Sequence, residues 1–265
     1  MRGWLKRITT PGSRRQAPVN SENQAIVPGD KIERLADRLA AGEMPAGGVL
    51  ARRDETRVIA VCSQKGGVGK TTIAAHLGVR AAMAGQGPAV LVDTDPQGSL
   101  SEWWRSRAEE ELPLSAIKMG DLARELPTLR SCGAAVAIID TPPALAESIR
   151  AVVSVADLVL IPARPSPHDL RAIGGTIDLV QRARKPFLFV VNGAANRAHI
   201  TAECVAALSE HGRVAPVILY QRTEWAASMI NGRTVLETNR GGRSAREAAD
   251  LWDYTYAQLA MREAA

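Results

Sequence analysis

The stretch that decides the fold is QKGGVGKTT, residues 64–72, which lies between an apolar run at residues 58–62 and a helical pattern. A strand, a glycine-rich turn and a helix N-terminus in this order form the arrangement that holds phosphate groups. Glycines allow backbone N–H groups to converge on an anion without obstruction by side chains. The stretch therefore predicts a phosphate-binding loop, in which Lys70 reaches the β- and γ-phosphates and the Thr71 hydroxyl holds Mg²⁺.

The loop departs from the ordinary P-loop pattern at both of its first residues. Gln64 stands where that pattern has glycine, and Lys65 is an additional lysine ahead of the glycines. A lysine there points away from its own loop and can supply positive charge to a nucleotide in a facing subunit, as arginine fingers do in trans. The sequence K-G-G-x-G-K-T-T resembles the deviant Walker A box of the ParA/MinD family of ATPases. That resemblance implies that Lys65 crosses a nucleotide-sandwich dimer. It also implies an ATP-binding set of Lys65, Gly66, Gly67, Val68, Gly69, Lys70, Thr71 and Thr72.

A second apolar run, residues 89–92, leads into Asp93-Thr94-Asp95-Pro96-Gln97. The run is hydrophobic without alternation, as expected of a buried parallel strand. Ligand chemistry in open α/β sheets takes place at the carboxyl ends of strands, which puts Asp95 near the Mg²⁺ and the attacking water. The corresponding D-x-D-P-Q motif of the family implies the same role. Asp93 has two readings, either as a strand-end residue that binds loop backbone or as a catalytic residue.

A third apolar run, residues 136–139, ends at Asp140 and is followed by Thr-Pro-Pro. Four apolar residues and an aspartate form the Walker B pattern, in which the carboxylate orients Mg²⁺ through water. The predicted catalytic residues are Lys65, Lys70, Asp95 and Asp140, and the predicted magnesium ligands are Thr71, Asp95 and Asp140.

Another apolar run, residues 187–191, precedes Asn192. The family resemblance implies that an asparagine at this place recognises adenine. A strand-end cap is the alternative for Asn192. The adjacent pair Asn196-Arg197 offers the same amide in a shifted register.

Further strand candidates at residues 116–119, 158–162 and 214–220 alternate with patterns of helical spacing. This alternation predicts an α/β fold, a doubly wound and mostly parallel sheet with helices on both faces. Residues 57–265 fit a single core, and the resemblance covers this whole domain. Residues 161–170 and 232–237 look most like the small plasmid-type ParA proteins.

Composition places the chain among cytoplasmic proteins. Charged residues make up 23% of it, and no apolar run approaches the length of a membrane span. The three cysteines are isolated and indicate reduced thiols. Because no C-x-x-C occurs, the sequence argues against the iron–sulfur members of the superfamily.

A net charge of +5 and a pI near 9.4 point to a polyanionic partner. Residues 239–247 carry three arginines beside a glycine pair, and Ser244 with Glu247 predicts a capping box that starts the last helix. Related ATPases bind DNA without sequence preference through basic residues near this helix, and a solvated basic surface is the alternative reading. No base-reading helix-turn-helix is recognisable, so we expect contacts with the DNA backbone and a strong salt dependence. The predicted DNA-binding residues are Arg222, Arg240, Arg243 and Arg246.

Residues 1–56 lie outside the resemblance. Their composition predicts a basic disordered arm, a short amphipathic helix at residues 30–41 and a linker at residues 44–55. The arm could touch DNA, an acidic membrane or a partner protein.

Taken with the resemblance, the sequence predicts an ATPase that requires ATP and Mg²⁺. Its ATP-dependent homodimer binds nonspecific DNA and is therefore associated with the nucleoid. A ParB-like or cargo adaptor protein stimulates slow hydrolysis and so positions a plasmid, a chromosomal locus or a protein assembly. A MinD-like membrane ATPase is the nearest alternative, but a membrane partner is disfavoured because residues 258–265 offer little apolar surface. A nucleotide-switched DNA-transfer accessory or regulator is the other alternative.

Overall fold

The computed structural model describes residues 56–86, 88–108, 112–143, 146–196 and 198–261, without the side chains of residues 146–148. The predicted arm, amphipathic helix and linker lie outside these residues, as does Arg197. The described chain forms one seven-stranded sheet in the order β3-β2-β4-β1-β5-β6-β7, and every strand pairing in it is parallel. The strands are β1 (Arg57–Val61), β2 (Ala89–Asp93), β3 (Leu114–Ala116), β4 (Val136–Asp140), β5 (Leu158–Ala163), β6 (Phe187–Ala194) and β7 (Leu219–Tyr220).

Helices connect the strands and cover both faces of the sheet, which confirms the predicted doubly wound α/β fold. In the described part of the chain they are α1 (Lys70–Met83), α2 (Ser99–Arg105), α3 (Leu122–Ser131), α4 (Ala146–Val155), α5 (Pro167–Arg182), α6 (His199–Ser209), α7 (Thr223–Met229), α8 (Val235–Thr238) and α9 (Arg243–Met261), with a 3₁₀ turn at Met119–Asp121. None of these helices is both long enough and apolar enough to cross a bilayer.

The central strand shows why the sheet needs cover on both sides. Ile59 and Val61 of β1 belong to the core beneath α1, α2, α8 and α9, whereas Val58 and Ala60 belong to the core beneath α3, α4, α5 and α6. Successive side chains of a strand point to opposite faces, so an apolar run without alternation produces two buried faces.

The position of β1 determines where a ligand can bind. Its neighbours are β4 and β5, and the chain leaves it in both directions across the sheet. In open parallel sheets, the crevice at the carboxyl ends of the strands lies at this change of direction. The glycine-rich loop follows β1 directly and therefore lies in that crevice.

Three local predictions were wrong. The strand predicted at residues 116–119 is β3, which ends at Ala116, because the chain then turns into the 3₁₀ turn. The strand predicted at residues 214–220 is reduced to β7 and one isolated bridge at Val214, because Pro216 between them has no N–H to donate to the sheet. The capping box predicted at Ser244 does not form, since α9 already begins at Arg243.

Candidate nucleotide site and basic surface

The phosphate loop has the geometry of an anion cradle. Gly67 and Gly69 adopt φ values of +73° and +93°, a region that other residues rarely enter. Gly69 is the N-cap of α1 and offers no side chain, so the first N–H groups of the helix stay available to a ligand. Lys70 is buried, and its Nζ donates to the Lys65 carbonyl at 3.0 Å. The loop is thus folded around Lys70, and the contact of this lysine with phosphates stays a prediction.

Thr71 and Asp140 meet at the base of this loop. The Thr71 hydroxyl donates to Asp140 Oδ2 at 2.6 Å. Asp140 is fully buried, and within the described residues its Oδ1 has no hydrogen-bond partner. Burial raises the pKa of Asp140 to about 7, against a favourable contribution from the Thr71 hydroxyl. A buried carboxylate with an oxygen that lacks a hydrogen bond is energetically costly, and a bound cation would offset that cost.

These two residues fit the Mg²⁺ that accompanies a nucleotide. Thr71 would hold the ion directly and Asp140 would orient its water ligands. When bound, the ion supplies positive charge that offsets the charge of the phosphates. Burial also lowers the pKa of Lys70, although the nearby Asp140 opposes this shift. Phosphate binding favours the charged form of Lys70, so ligand and lysine stabilise each other.

The two aspartates after β2 have different surroundings. Asp93 is buried and accepts hydrogen bonds from the Asp95 N–H at 3.0 Å and from the Ser101 N–H and hydroxyl at 2.8 and 2.6 Å. These contacts match the first reading, in which Asp93 holds loop backbone. Asp95 is partly exposed, and its Oδ1 accepts from the Gln97 N–H at 2.9 Å. Among the described residues its other oxygen has no hydrogen-bond partner, and the role of Asp95 in hydrolysis stays a prediction.

Lys65 points out of its own loop, as expected, but it has a partner in the same chain. Its Nζ lies 2.7 Å from Asp169 Oδ2, near the start of α5. The Ser166 hydroxyl also donates to this oxygen, and the Asp169 N–H donates back to Ser166 at 3.1 Å. Sequence reasoning missed Asp169, although Ser166-Pro167-His168-Asp169 is a recognisable helix-capping pattern.

Asn192 lies inside β6 and not at its end. Its Nδ2 donates to the Val68 carbonyl of the phosphate loop at 2.7 Å. The strand-end cap is therefore not its role, and contact with adenine stays a prediction. Asn196 is exposed and belongs to the loop after β6.

The four predicted DNA-binding arginines fall into two groups. Arg240, Arg243 and Arg246 are exposed around the start of α9. Among the described residues, none pairs with the guanidinium of Arg240 or Arg243, and Arg246 Nη2 donates to the Gly241 carbonyl at 3.3 Å. Arg222 instead forms a bidentate ion pair with Glu247 through two contacts of 2.7 Å. Glu247, predicted to cap α9, thus binds Arg222, and this arginine is less available to DNA than the other three.

A polar junction, formed by residues 103–107 and 232–237, joins the end of α2 to the start of α8. The arginine segment, residues 239–246, follows α8. Arg107 Nη2 contacts Glu237 Oε1 at 2.7 Å, and Arg107 Nη1 donates to the Gly232 carbonyl at 2.8 Å. Thr234 and Glu237 form the capping box that starts α8. The Thr234-x-x-Glu237 pattern could have revealed this junction, but nothing in the sequence indicated Arg107 as its partner.

His76 connects α1 to the same junction. One ring nitrogen bonds the Thr72 carbonyl at 2.7 Å and the other accepts from the Val235 N–H at 3.2 Å, so the ring is neutral with its proton on Nδ1. Burial lowers the pKa of His76 to about 4.

Comparison with known proteins agrees with this site. The CobQ/CobB/MinD/ParA nucleotide binding domain matches residues 59–235. A "Maintenance of carboxysome distribution protein A" from Gloeobacter kilaueensis is 37% identical over 212 residues, which cover 72% of this chain and 88% of that protein. The "Chromosome-partitioning ATPase Soj" of Thermus thermophilus is 32% identical over 195 residues, covering 69% of this chain and 74% of its own. Among solved structures, MinD of Pyrococcus horikoshii complexed with Mg-ADP superimposes with a TM-score of 0.66 at 15% identity, covering 76% of this chain and 96% of that one.

Proposed function

Because this chain belongs to the CobQ/CobB/MinD/ParA family and is an ATPase of the ParA/MinD type, we propose that it uses ATP to position a cargo along DNA. The observation that carries the proposal is the exposed group of Arg240, Arg243 and Arg246 around the start of α9. Exposed arginines without an acidic partner suit the phosphate backbone of a nucleic acid.

The proposed active form is a dimer with ATP between its subunits. Lys65 supports this, because its Nζ contacts Asp169 outside its own loop and its side chain is 36% exposed. In the dimer, Lys65 exchanges Asp169 for the phosphates of the facing subunit. Two subunits double the number of DNA contacts, so we expect tight DNA binding only with ATP.

The proposed cargo follows the names of the relatives. Those names refer to carboxysome distribution and to chromosome partitioning. An adaptor protein on such a cargo would stimulate hydrolysis and release the dimer from DNA. This function requires a cytoplasmic protein that is associated with the nucleoid.

The test is DNA binding by the full chain with Arg240→Glu and Arg243→Glu together. We expect the double variant to dimerise with ATP in light scattering but to lose binding to a random duplex in a mobility-shift assay. Arg150→Glu with Arg182→Glu is the matched control. It makes the same charge change at two exposed arginines of α4 and α5, on the opposite face of the sheet, and should leave binding close to that of the wild type.

Two results would contradict the assignment of the surface. Equal losses in the double variant and its control would mean that only net charge matters. Full DNA affinity in the double variant would move the contact to Arg222 or to the arm at residues 1–29, and deletion of that arm would decide between them. Sedimentation with anionic liposomes, with and without ATP, tests the membrane alternative in parallel.

A further inference from the structure

Asn192 occupies an unusual place in the sheet. The last residue of β5, Ala163, pairs with Val191, so Asn192 is the first residue of β6 that extends past the end of its neighbour. The pairing with β7 shifts register directly after it, where Gly193 adopts a φ of +66°. Bulges of this kind commonly redirect a side chain beside a functional site. Here the side chain passes over the end of β5 and reaches the phosphate loop that follows β1.

The loop is shaped to receive this side chain. Asn192 Nδ2 donates to the Val68 carbonyl at 2.7 Å. A Cβ built on Gly69 would lie 2.2 Å from the same nitrogen, so the amide occupies the space that any other residue at position 69 would need. Gly69 therefore serves two purposes, since it permits a φ of +93° and also leaves room for Asn192.

We propose that Asn192 is a positioning residue for the phosphate loop, which acts by fixing the peptide between Val68 and Gly69. In a trans peptide the C=O and the following N–H point in opposite directions. Holding the Val68 carbonyl towards Asn192 therefore aims the Gly69 N–H away from it. The bond also prevents this carbonyl from turning towards an anion, where it would repel the phosphates. Asn192 thus contributes to triphosphate binding through the loop, whatever base the nucleotide carries.

A comparison of ATP with inorganic triphosphate, which has no base, distinguishes this role from recognition of adenine. We expect Asn192→Ala and Asn192→Leu, which both remove the donor, to weaken ATP and inorganic triphosphate by the same factor of about ten, as for one lost hydrogen bond. Calorimetric titration of the full chain with each ligand in Mg²⁺ measures both affinities. Asn231→Ala, which alters an exposed asparagine between α7 and α8, should change neither. A loss confined to ATP would overturn the proposal and assign Asn192 to the base, and unchanged affinity for both ligands would overturn it as well.

A double variant tests whether the effect passes through the loop. Gly69→Ala collides with the Asn192 amide and should weaken triphosphate binding on its own. In the Asn192→Ala background that collision is gone, so the double variant should lose less than the product of the two separate factors. Losses that multiply fully would show that the two residues act independently, which contradicts the proposal. Thermal unfolding of each variant checks that the fold is intact.

Discussion

Two ion pairs of the protein, Arg107–Glu237 and Lys65–Asp169, differ in how far water reaches them. In the Arg107–Glu237 pair the side chains are 4% and 7% exposed, and Glu237 also accepts from the Thr234 N–H and hydroxyl. In the Lys65–Asp169 pair the lysine is 36% exposed and the aspartate 6%. The first pair connects two segments far apart in sequence with several hydrogen bonds. The second is a single contact, between the phosphate loop and α5.

The two pairs therefore differ in what it costs to break them. Burial alone would raise the pKa of Glu237, but hydrogen bonds from Arg107 and Thr234 outweigh it and hold that pKa below its usual range. Neither partner can leave without stranding a charge in the interior. Lys65 is partly exposed, so it can pass to another anion without stranding its own charge, whereas Asp169 stays buried with the Ser166 hydroxyl. The Arg107–Glu237 pair thus fixes the segment before the arginines, and the Lys65–Asp169 pair holds a partly exposed lysine by one ion-pair contact.

The largest effect should come from breaking the buried pair. Glu237→Ala leaves Arg107 buried beside Trp103 without its carboxylate and should lower the free energy of unfolding by about 3–5 kcal/mol. Urea unfolding measures this loss. Glu210→Ala, at an exposed glutamate, should stay within about 0.5 kcal/mol. Similar values for the two variants would mean that the Arg107–Glu237 pair does not stabilise the fold.

His76, which contacts the same junction, should give a smaller effect that depends on pH. Its pKa is about 4 in the folded protein and 6.5 for an ordinary histidine. The unfolded chain therefore binds a proton that the folded chain resists, and stability is lost as the pH falls from 6.5 to 4. We expect His76→Gln to remove about 3 kcal/mol of this dependence, from the shift in pKa. Unfolding curves that retain the full wild-type slope in His76→Gln would assign the dependence to other groups.

Asp140 should give a pH dependence of stability opposite in sign to that of His76 when the protein is measured without nucleotide and Mg²⁺. Its folded pKa of about 7 lies above the ordinary 3.8, so the folded state holds its proton more tightly than the unfolded state. Stability from this proton is present at low pH and is lost as the pH rises towards 7. Relative to the wild type, Asp140→Asn should gain about 3 kcal/mol of unfolding free energy between pH 5 and pH 8 without nucleotide. The same variant should lose Mg²⁺-dependent hydrolysis, and an equal difference from wild type at both pH values would contradict this account.

The smallest effect on stability should come from the Lys65–Asp169 pair, in which only the lysine is partly exposed. Asp169→Asn removes the buried charge and leaves Lys65 able to reach water, so the free energy of unfolding should change by about 1 kcal/mol. If Lys65 is the residue that a facing subunit uses, the variant should dimerise at lower ATP concentration in light scattering. Asp178→Asn, at an exposed aspartate of the same helix, is the control. A requirement for more ATP would mean that Asp169 directs Lys65 and does not restrain it.

The sequence predicts the centre of this molecule well, because each buried strand is a continuous apolar run and the polar site residues follow directly at its carboxyl end. The phosphate loop, Asp140 and the parallel order of the sheet follow from that pattern. Short edge strands depend on single residues, so one proline or one turn moved β3 and β7 from their predicted bounds. Residues that act across the fold were harder to find. Asp169, Arg107 and His76 are ordinary helix or loop residues until the tertiary structure brings their partners to them.

The arginines around the start of α9 show the same limit of sequence-based prediction for a surface feature. Its charge is visible in the sequence, but the availability of each guanidinium is not. Arg222 and Arg243 are the same residue type in the sequence, yet Glu247 binds the first, and no described residue pairs with the second. The position of Glu247 one turn into α9, opposite β7, decides this. The alignment of a helix with a distant strand is tertiary information that a local pattern does not contain.

The point at which the chain enters the sheet also bears on how this protein could be handled or tethered. The Thr56 hydroxyl donates to the Ala134 carbonyl at 2.7 Å, and β1 then runs from Arg57 to Val61 before the phosphate loop begins. Five residues of strand place that entry about 16 Å from the loop, at the opposite pole of the sheet. A fluorophore, bead or surface joined at residue 56 itself would therefore be anchored at the pole away from the face that would meet a second subunit. An attachment made at that residue should leave this face clear.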